Sequence, residues 1–358
     1  MEFGILIPPI ADTWKTVKRA EELGYSRAWF YDTPMLNSEV FVSMAAAAIN
    51  TSRIRLGTGV LIPSNRIAPV AASGLATLNA LAPGRIDFGI STGFTGRRTL
   101  GMKPVKQADM EEYIRVVQGL LAGETLEWTH EEHGEEKRRK IRFLDPGIGA
   151  INIKDSIPLH ISAFGPKGRR LTAKLGAGWI NGTPNVAHAT AGLADMKAAW
   201  NEAGRDASNL FATATVGGCV VRDGENYDSA RVKAQSGPIA VIALHSMAER
   251  EDFGDLGRPI PPQMAPLVDR YREHYLKYQP ADARYLSNHR GHLMYLKPEE
   301  QPFCTTELIK ATTWTAPKEE LRERLREMVR AGYRHFGVNI GYKAEGKLEE
   351  WVEVFEGV

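Results

Sequence analysis

The sequence predicts an α/β fold, a (β/α)8 TIM barrel with insertions, and three observations support this prediction. Eight short apolar segments recur along the chain, and nearly all of them are followed by a helical pattern. Strands that alternate with helices pair in parallel, and eight such units close into a barrel. Pro8 and Pro9 follow the first strand where a dinucleotide-binding open sheet, the alternative fold, would need a glycine-rich turn.

The first third of the chain contains four strand–helix units in regular order. The predicted strands are 3–7, 27–31, 54–60 and 86–90, and the predicted helices are 12–23, 39–50, 69–81 and 107–121. Gly24 stands where a helix C-cap glycine is expected, which supports the end of the first helix. This regular spacing favours consecutive βα units over separate domains.

The remaining chain completes the barrel and adds two insertions. The predicted strands are 159–163, 178–181, 211–221 and 335–339, and the predicted helices are 165–175, 187–203, 229–247, 318–331 and 348–355. A hairpin is predicted at 124–128 and 140–144, with the charged tip HEEHGEEKRRK as a solvated turn. The proline-rich segment 250–302 is too long for a simple connection. We expect an irregular insertion that covers the substrate or contacts another subunit, within a single domain over residues 1–358.

Composition excludes several classes of protein. The 358 residues are 43% hydrophobic and 25% charged, and the formal net charge is +2, which favours neither nucleic acid nor an anionic membrane as a partner. The two cysteines, Cys219 and Cys304, cannot form a disulfide framework and are typical of a reducing cytoplasm. The chain begins without a signal-peptide pattern, and no apolar run reaches the ~18 residues of a membrane helix. We therefore expect a cytoplasmic globular protein.

Small polar residues and glycines follow several predicted strands. Ser91, Thr92 and Gly93 follow the fourth strand, and Asn181 and Gly182 follow the sixth. Catalytic sites of such barrels lie at the carboxyl ends of the strands. A single end of this kind is commonly a surface turn, but several at one mouth predict a backbone that approaches a flat ligand or a phosphate.

The stretch ISAFGPKGRR joins the fifth strand to its helix and favours an anion. Gly165 and Pro166 open the helix, and its first free N–H groups can receive a phosphate. Lys167, Arg169 and Arg170 add positive charge nearby. The alternative is that these cations only decorate an exposed first turn.

Two polar groups are candidates for the chemistry. Asp32 follows the apolar AWFY, and burial at the barrel mouth could make it a proton donor. Its alternative role is to cap a turn before Pro34. Arg97, followed by Arg98, could hold an anionic substrate, or it could be a solvated loop residue.

The insertion contains two histidines spaced three residues apart. His289 and His292 could share one face of a helix and bind a metal, but no HExxH motif or spaced carboxylate accompanies them. We therefore expect no metal, with His292 as a catalytic residue and His289 as a substrate contact. A metal-dependent barrel hydrolase is also disfavoured, because no His-x-His follows the first strand.

A series of segments then points to a known family. They are FGI near the start, WFYDTPM, RIRLGTGVLIPSNRIAPVAA, LNALAPGRIDFGISTG, LGMKPVKQADMEEYIRVVQGLLAGE, IPLHISAFGPKGRRLTAKLGAGW and, near the end, ELRERLREMVRAGYRHFGV. Their order resembles the bacterial luciferase-like family of flavin and deazaflavin oxidoreductases. Within it, the chain most resembles the branch of methylene-tetrahydromethanopterin reductase and other enzymes of coenzyme F420.

The resemblance implies an isoalloxazine or deazaflavin ring across the strand ends. It also implies a non-prolyl cis peptide after the third strand, which matches Gly59–Val60. The other implied cofactor contacts are Ser91, Thr92, Gly93, Ser162, Ala163, Phe164, Gly165, Pro166, Lys167, Asn181 and Gly182. The sequence departs from the family pattern at two places. GAGW stands at 176–179 where many relatives have an aspartate-glycine pair, and Pro8-Pro9 stands where some have an acidic residue.

The implied function is hydride transfer between reduced coenzyme F420 and a small organic electrophile, such as a carbonyl, an imine or an activated carbon. A related alternative is an FMN-dependent two-component monooxygenase, which would need a flavin reductase as a partner. An alternative of another class is a non-catalytic flavin-binding barrel. The family also implies a homodimer or a higher homo-oligomer.

Overall fold

Eight parallel strands close into a barrel, which confirms the predicted fold. The computed structural model describes residues 1–254, 262–342, 344 and 346–358. The strands in chain order are β1 (Glu2–Ile7), β2 (Arg27–Phe30), β3 (Arg55–Thr58), β4 (Ile86–Ile90), β5 (Leu126–Glu132), β6 (Glu135–Ile141), β7 (Leu159–Ser162), β8 (Gly178–Gly182), β9 (Ala212–Val216), β10 (Val220–Val221), β11 (Ala316–Pro317) and β12 (His335–Asn339). The barrel order is β1-β12-β9-β8-β7-β4-β3-β2, while β5 pairs with β6 and β10 with β11.

Helices surround the barrel and build the insertion. They are α1 (Thr13–Glu22), α2 (Val40–Asn50), α3 (Ala68–Leu81), α4 (Thr95–Arg98), α5 (Gln107–Leu121), α6 (Pro166–Leu175), α7 (Val186–Glu202), α8 (Ala230–Ala240), α9 (Ile242–Ala248), α10 (Arg250–Phe253), α11 (Ala265–Tyr275), α12 (Tyr285–Asn288), α13 (Thr306–Thr312), α14 (Lys318–Ala331) and α15 (Lys347–Phe355). Among the described residues, none of these helices has both the length and the apolar character that crossing a membrane requires.

The charged tip of the hairpin is strand rather than the expected solvated turn. Strands β5 and β6 pair without interruption from Leu126 opposite Ile141 to Glu132 opposite Glu135. The reversal is confined to His133 and Gly134, which have φ angles of 55° and 81°. Two consecutive positive φ angles match the twist of paired strands. The pairing therefore continues through polar residues that the composition assigned to a loop.

The long insertion is more helical than the sequence indicated. The predicted helix 229–247 divides into α8 and α9 at Val241, and α8 contains Pro238. Helices α10, α11 and α12 occupy much of the segment 250–302, which was expected to be irregular. Residues 255–261 of that segment lie outside the described residues. Proline content misled this prediction, because α11 has its proline in the first turn, where a helix tolerates it.

Trp29 fills the centre of the barrel. Its side chain is 1% exposed. A Cβ atom placed on Gly57 would lie 2.5 Å from the indole ring, and one on Gly59 would lie 2.6 Å from the Trp29 Cβ. The rings of His160 and His335 pack edge-on against the indole, with centroids 5.1 and 6.4 Å away. Gly57 in β3 and Gly59 directly after it therefore make room for one large side chain, which forms the floor under the barrel mouth.

A buried ionic cluster lies below Trp29, toward the N-terminal end of the strands. Asp87 is 1% exposed, and both of its oxygens accept hydrogen bonds from Arg55, at 2.8 and 3.0 Å. Arg27 lies 3.6 Å from the same carboxylate. Burial alone would raise the pKa of Asp87, but His160, Arg55 and Arg27 hold it well below the usual range. This cluster supports the barrel from the end opposite the mouth.

Candidate cofactor and substrate site at the barrel mouth

Inward-facing residues one level above Trp29 line the mouth. Side chains alternate along a strand, so Tyr31 follows Trp29 on the same face. Asn339 donates a hydrogen bond of 2.6 Å from Nδ2 to the Tyr31 hydroxyl oxygen. On the other side of the mouth, Ser91 donates from Oγ to the carbonyl of Ser162 at 3.0 Å. Polar groups therefore lie on both sides of the mouth.

The Gly59–Val60 peptide bond is cis, as the resemblance implies. Val60 packs against a small apolar cluster at the mouth, which is formed by Leu6, Trp29, Tyr31 and Ile180. Leu293 of the insertion packs against the same cluster. Leu293 has a φ angle of 61°, a backbone conformation uncommon for a residue with a side chain. The insertion therefore places one apolar side chain over the barrel mouth.

The start of α6 has the properties expected of an anion site. Pro166 is its first residue, and Gly165 at the N-cap gives no side-chain hydrogen bond to the first turn. Gly165, Pro166 and Lys167 are exposed. Arg169 is engaged elsewhere, because it donates to the Phe164 carbonyl at 2.7 Å and pairs with Asp195 at 2.8 Å. Lys167 is therefore the better placed of these two cations to meet an anion.

Asn181 and Gly182 differ in the direction they face. Asn181 is 2% exposed and donates to the Tyr333 hydroxyl at 2.9 Å, in the layer between barrel and helices. Its side chain is therefore turned away from the mouth. A Cβ atom on Gly182 would lie 3.4 Å from both the Phe164 ring and the Thr215 hydroxyl. Glycine thus leaves room there, and Gly182 remains a cofactor contact in the proposal below.

Asp32 is held as a hydrogen-bond acceptor. Its carboxylate accepts from the Ile62 N–H at 3.1 Å and from Arg66 at 2.9 and 3.0 Å. Burial raises the pKa of Asp32, and the charge of Arg66 opposes that shift. A carboxylate that faces a guanidinium in this way fixes the loop after β3 and does not aim a proton at the mouth. This geometry suits Asp32 to a positioning role, and its role as a proton donor stays a prediction.

The two arginines of α4 have different surroundings. Arg97 is half-buried and donates to the Lys103 carbonyl at 2.5 Å. Arg98 is 2% exposed and lies 3.3 Å from Glu249 of the insertion. The Phe94 and Phe253 rings lie 5.9 and 5.4 Å from its guanidinium. Arg98 therefore joins the insertion to the mouth loop, while only Arg97 stays available as the expected substrate contact.

The two predicted histidines belong to a buried cluster in which the sequence analysis missed the third member, His245. His289 Nε2 lies 2.9 Å from Glu249, and His245 Nε2 lies 2.5 Å from Glu300. His292 Nε2 lies 3.1 Å from the Thr95 hydroxyl, and its Nδ1 lies 3.5 Å from Nδ1 of His245. Burial lowers the pKa of His245. Nε2 of each predicted histidine thus faces a protein oxygen, and the roles of His289 and His292 toward a substrate stay predictions.

Tyr31 is the functional candidate that sequence reasoning missed. It is 8% exposed, and burial raises the pKa of its hydroxyl, so the group keeps its proton at neutral pH. Because its oxygen accepts from Asn339, the Tyr31 proton is available to a third group. The signal was present in the sequence: Arg27, Trp29 and Tyr31 alternate into the barrel, and Asp32 lies outside that alternation.

A cavity of about 580 Å³ opens at the other end of the barrel. Glu2, Phe211 and Arg334 contribute to its lining, and they lie at the N-terminal ends of strands or just before them. None of the predicted site residues lines it. We therefore assign the site to the opposite end, where the strand-end residues meet.

Comparison with known proteins agrees with this geometry. The sequence matches the luciferase-like monooxygenase family over residues 3–335. A 5,10-methylenetetrahydromethanopterin reductase from Methanolobus tindarius is 28% identical over 214 residues, which cover 58% of this chain and 61% of that protein. An F420-dependent glucose-6-phosphate dehydrogenase from Beutenbergia cavernae is 34% identical over 145 residues, which cover 38% and 40%. The chain thus spans about three fifths and two fifths of these relatives' lengths.

Solved structures share the whole fold at low sequence identity. The coenzyme F420 dependent tetrahydromethanopterin reductase from Methanopyrus kandleri has a TM-score of 0.67 at 18% identity, covering 99% of this chain and 96% of that one. The oxygenating constituent of 3,6-diketocamphane monooxygenase from Pseudomonas putida, in complex with FMN, has a TM-score of 0.61 at 14% identity, covering 99% and 95%. These likenesses concern the fold alone. Because the family match extends over most of the chain, the protein belongs to the luciferase-like monooxygenase family.

Proposed function

We propose that the protein is an oxidoreductase that uses coenzyme F420 to reduce a small organic electrophile, or to run the reverse reaction, at the barrel mouth. The main support for this proposal is that small strand-end residues meet at one mouth of the barrel. They lie next to the start of α6, which is exposed and has no side-chain cap. When bound, such a coenzyme supplies a hydride donor or acceptor. The protein has to place the ring, hold its phosphate and exclude water.

The residues at the mouth fit a flat ligand with a phosphate-bearing tail. Gly59, Ser91, Thr92, Gly93 and Gly182 would line the ring. The stretch from Ser162 to Lys167 would run along the ring edge and direct the N–H groups of α6 and the Lys167 ammonium toward phosphate. The phosphate assignment rests on two features of the start of α6: Gly165, Pro166 and Lys167 are exposed, and no side chain caps the first turn.

Tyr31 is the proposed donor to the substrate. A carbonyl or imine that accepts hydride develops negative charge on its oxygen or nitrogen, and a fixed donor stabilises that charge. Tyr31 keeps its proton and is oriented by Asn339. Asp32 acts through the loop after β3 and is a positioning residue.

One sequence relative named above, the glucose-6-phosphate dehydrogenase, is F420-dependent, while the F420 reductase structure and the FMN complex both resemble this chain in fold only. This difference favours F420. The second candidate is an FMN-dependent monooxygenase with a separate flavin reductase, and that FMN complex is the observation in its favour. The two differ in whether oxygen is consumed.

A turnover experiment separates the two candidates. Reduced F420 is mixed with the protein and a panel of small carbonyls and imines, with and without oxygen, and its reoxidation is followed by absorbance. The proposal predicts reoxidation that depends on the organic substrate and continues without oxygen. Turnover that requires oxygen and reduced FMN would support the monooxygenase instead.

We further propose that two copies of the chain associate through α2 and α3. Five large apolar side chains on these helices and the residue before α3 are exposed: Val42, Ile49, Ile67, Val70 and Leu81. Exposed apolar surface on neighbouring helices marks an interaction site more often than a solvated face. A second copy presents the same apolar surface and so can cover it.

A further inference from the structure

The insertion and the helix α9 before it bring together three histidines that the proposed oxidoreductase chemistry does not use. His245 lies on α9, His289 directly follows α12, and His292 lies in the turn before Leu293. Their exposed fractions are 1%, 2% and 7%. One ring nitrogen of each lies within 4.8 Å of the corresponding nitrogens of the other two.

Each ring directs Nε2 at a protein oxygen. His245 faces Glu300 at 2.5 Å, His289 faces Glu249 at 2.9 Å, and His292 faces the Thr95 hydroxyl at 3.1 Å. A histidine that donates Nε2–H to an oxygen presents a lone pair on Nδ1. Histidine ligands of metal ions typically have this kind of partner, which fixes their tautomer and orientation.

Two of the second ring nitrogens, those of His289 and His245, are poorly explained by hydrogen bonds alone. Nδ1 of His289 is buried and has no hydrogen-bond partner among the described residues. Nδ1 of His245 and Nδ1 of His292 are 3.5 Å apart, longer than the ~2.9–3.0 Å of a usual hydrogen bond. Two nitrogens on a tetrahedral zinc, with bonds of about 2.0–2.1 Å, are about 3.3 Å apart. The observed separation of 3.5 Å is therefore closer to that of two ligands of one zinc ion than to that of a hydrogen bond.

We propose that His245, His289 and His292 bind one zinc ion, each through a single ring nitrogen. Three imidazoles without a thiolate suit a first-row divalent ion such as zinc, with the remaining position open to water. The ion would join α9 to the turn that places Leu293 at the mouth. It would thus hold the insertion over the substrate site. No metal was expected because no HExxH motif or spaced carboxylate accompanies His289 and His292 in the sequence, and His245 joins them only in the fold.

The surrounding charges set the strength of the site. Arg98 pairs with Glu249 at 3.3 Å, and Lys297 pairs with Glu300 at 3.0 Å. The two carboxylates are therefore already balanced before a dication enters. We expect weaker binding than in a site whose direct ligands are anionic, and metal that is lost to strong chelators.

The test uses the full chain without any redox cofactor, so its result is independent of the proposed oxidoreductase activity. Metal is removed with a chelator, zinc or cobalt is added, the excess is removed, and bound metal per chain is measured by mass spectrometry. We expect one ion per chain in the wild type. The cobalt form should show the intense visible absorption of a tetrahedral site.

The variants identify the ligands. His289→Gln should lose the bound ion, while His188→Gln, at an exposed position on α7, should keep it. Glu249→Gln should weaken zinc binding about 10–100-fold. Circular dichroism verifies that each variant is folded, and His292→Gln serves as a second ligand variant if His289→Gln is not folded.

Three results would overturn the proposal. They are a wild-type chain that retains no metal, a His289→Gln variant that is folded and retains as much as the wild type, and a cobalt spectrum typical of six-coordinate sites. The first would leave the cluster as a hydrogen-bonded chain from Thr95 through His292 and His245 to Glu300. The second would place the ion elsewhere on the surface.

Discussion

At the scale of single residues, the proposed function divides between Tyr31 and Asp32 the roles that the sequence assigned to one aspartate. Tyr31 faces the mouth and shares its hydroxyl oxygen with Asn339, whereas Asp32 faces Arg66 and the loop after β3. Sequence alone could place a polar residue at the end of β2. The alternation of Arg27, Trp29 and Tyr31 favours Tyr31 over Asp32 only if the strand pattern continues to residue 31, and the structure is what shows that it does.

We expect Tyr31→Phe to lower kcat about 10²–10³-fold, because the variant removes one donor to the developing charge. The affinity for F420 should stay within about twofold, since the ring loses only a hydroxyl. Steady-state kinetics and cofactor titration on the same preparation measure both quantities. Tyr227→Phe, which lies beside Lys310, is the matched control and should leave kcat unchanged. A Tyr31→Phe enzyme with wild-type kcat would exclude the assigned role.

At the scale of elements, regular units were predictable and the insertion was not. The segments 86–90, 107–121, 318–331 and 335–339 have the predicted bounds, because amphipathic or continuous apolar patterns specify them locally. The helices α11 and α13 were missed, since their stability depends on packing against α9 and α8. The histidine cluster was missed for the same reason: its members come from separate elements that only the tertiary fold joins.

Strand β4 passes so close to β3 that glycine is required at position 89. A Cβ atom there would lie 2.0 Å from the Thr58 carbonyl oxygen. We therefore expect Gly89→Ala to lower the free energy of unfolding by about 1–3 kcal/mol, as measured by urea denaturation. Gly165→Ala is the control for stability, because a Cβ atom at 165 would meet nothing within 4 Å. Equal stability of both variants would contradict this account of the strand packing.

At the scale of the whole molecule, the barrel depends on the ionic cluster around Asp87. Removing one partner of a buried charge pair typically costs about 3–5 kcal/mol, so Asp87→Asn should be strongly destabilised at pH 7. Because the pKa of Asp87 is lower in the folded than in the unfolded state, its contribution is complete above an unfolded value of about 3.9. It is lost as the pH falls below that value.

Urea titrations at pH 7 and at pH 3.5 test whether the contribution of Asp87 to stability falls as the pH falls. The difference in unfolding free energy between wild type and Asp87→Asn should shrink at the lower pH. Asp195→Asn removes an exposed carboxylate that pairs with the half-buried Arg169 and should change stability by less than about 1 kcal/mol at either pH. A difference that grows on acidification would mean that the cluster does not hold Asp87 ionised.

The exposed apolar surface of α2 and α3 predicts the state of assembly. Val42 is 69% exposed and Val70 is 52% exposed, so the double variant Val42→Asp/Val70→Asp should be a monomer where the wild type is a dimer. Light scattering after size-exclusion chromatography measures the mass. Val329→Asp, on α14 at 37% exposure, should leave the dimer intact. A wild type that is monomeric at high concentration would refute the proposed interface.

The central claim is that the barrel mouth binds a deazaflavin, and calorimetric titration of the cofactor-free protein with F420 and with FMN tests it most directly. The account predicts one F420 site per chain, tighter binding of F420 than of FMN, and weaker F420 binding by Lys167→Ala. Absence of binding by either compound, or a clear preference for FMN, would contradict it.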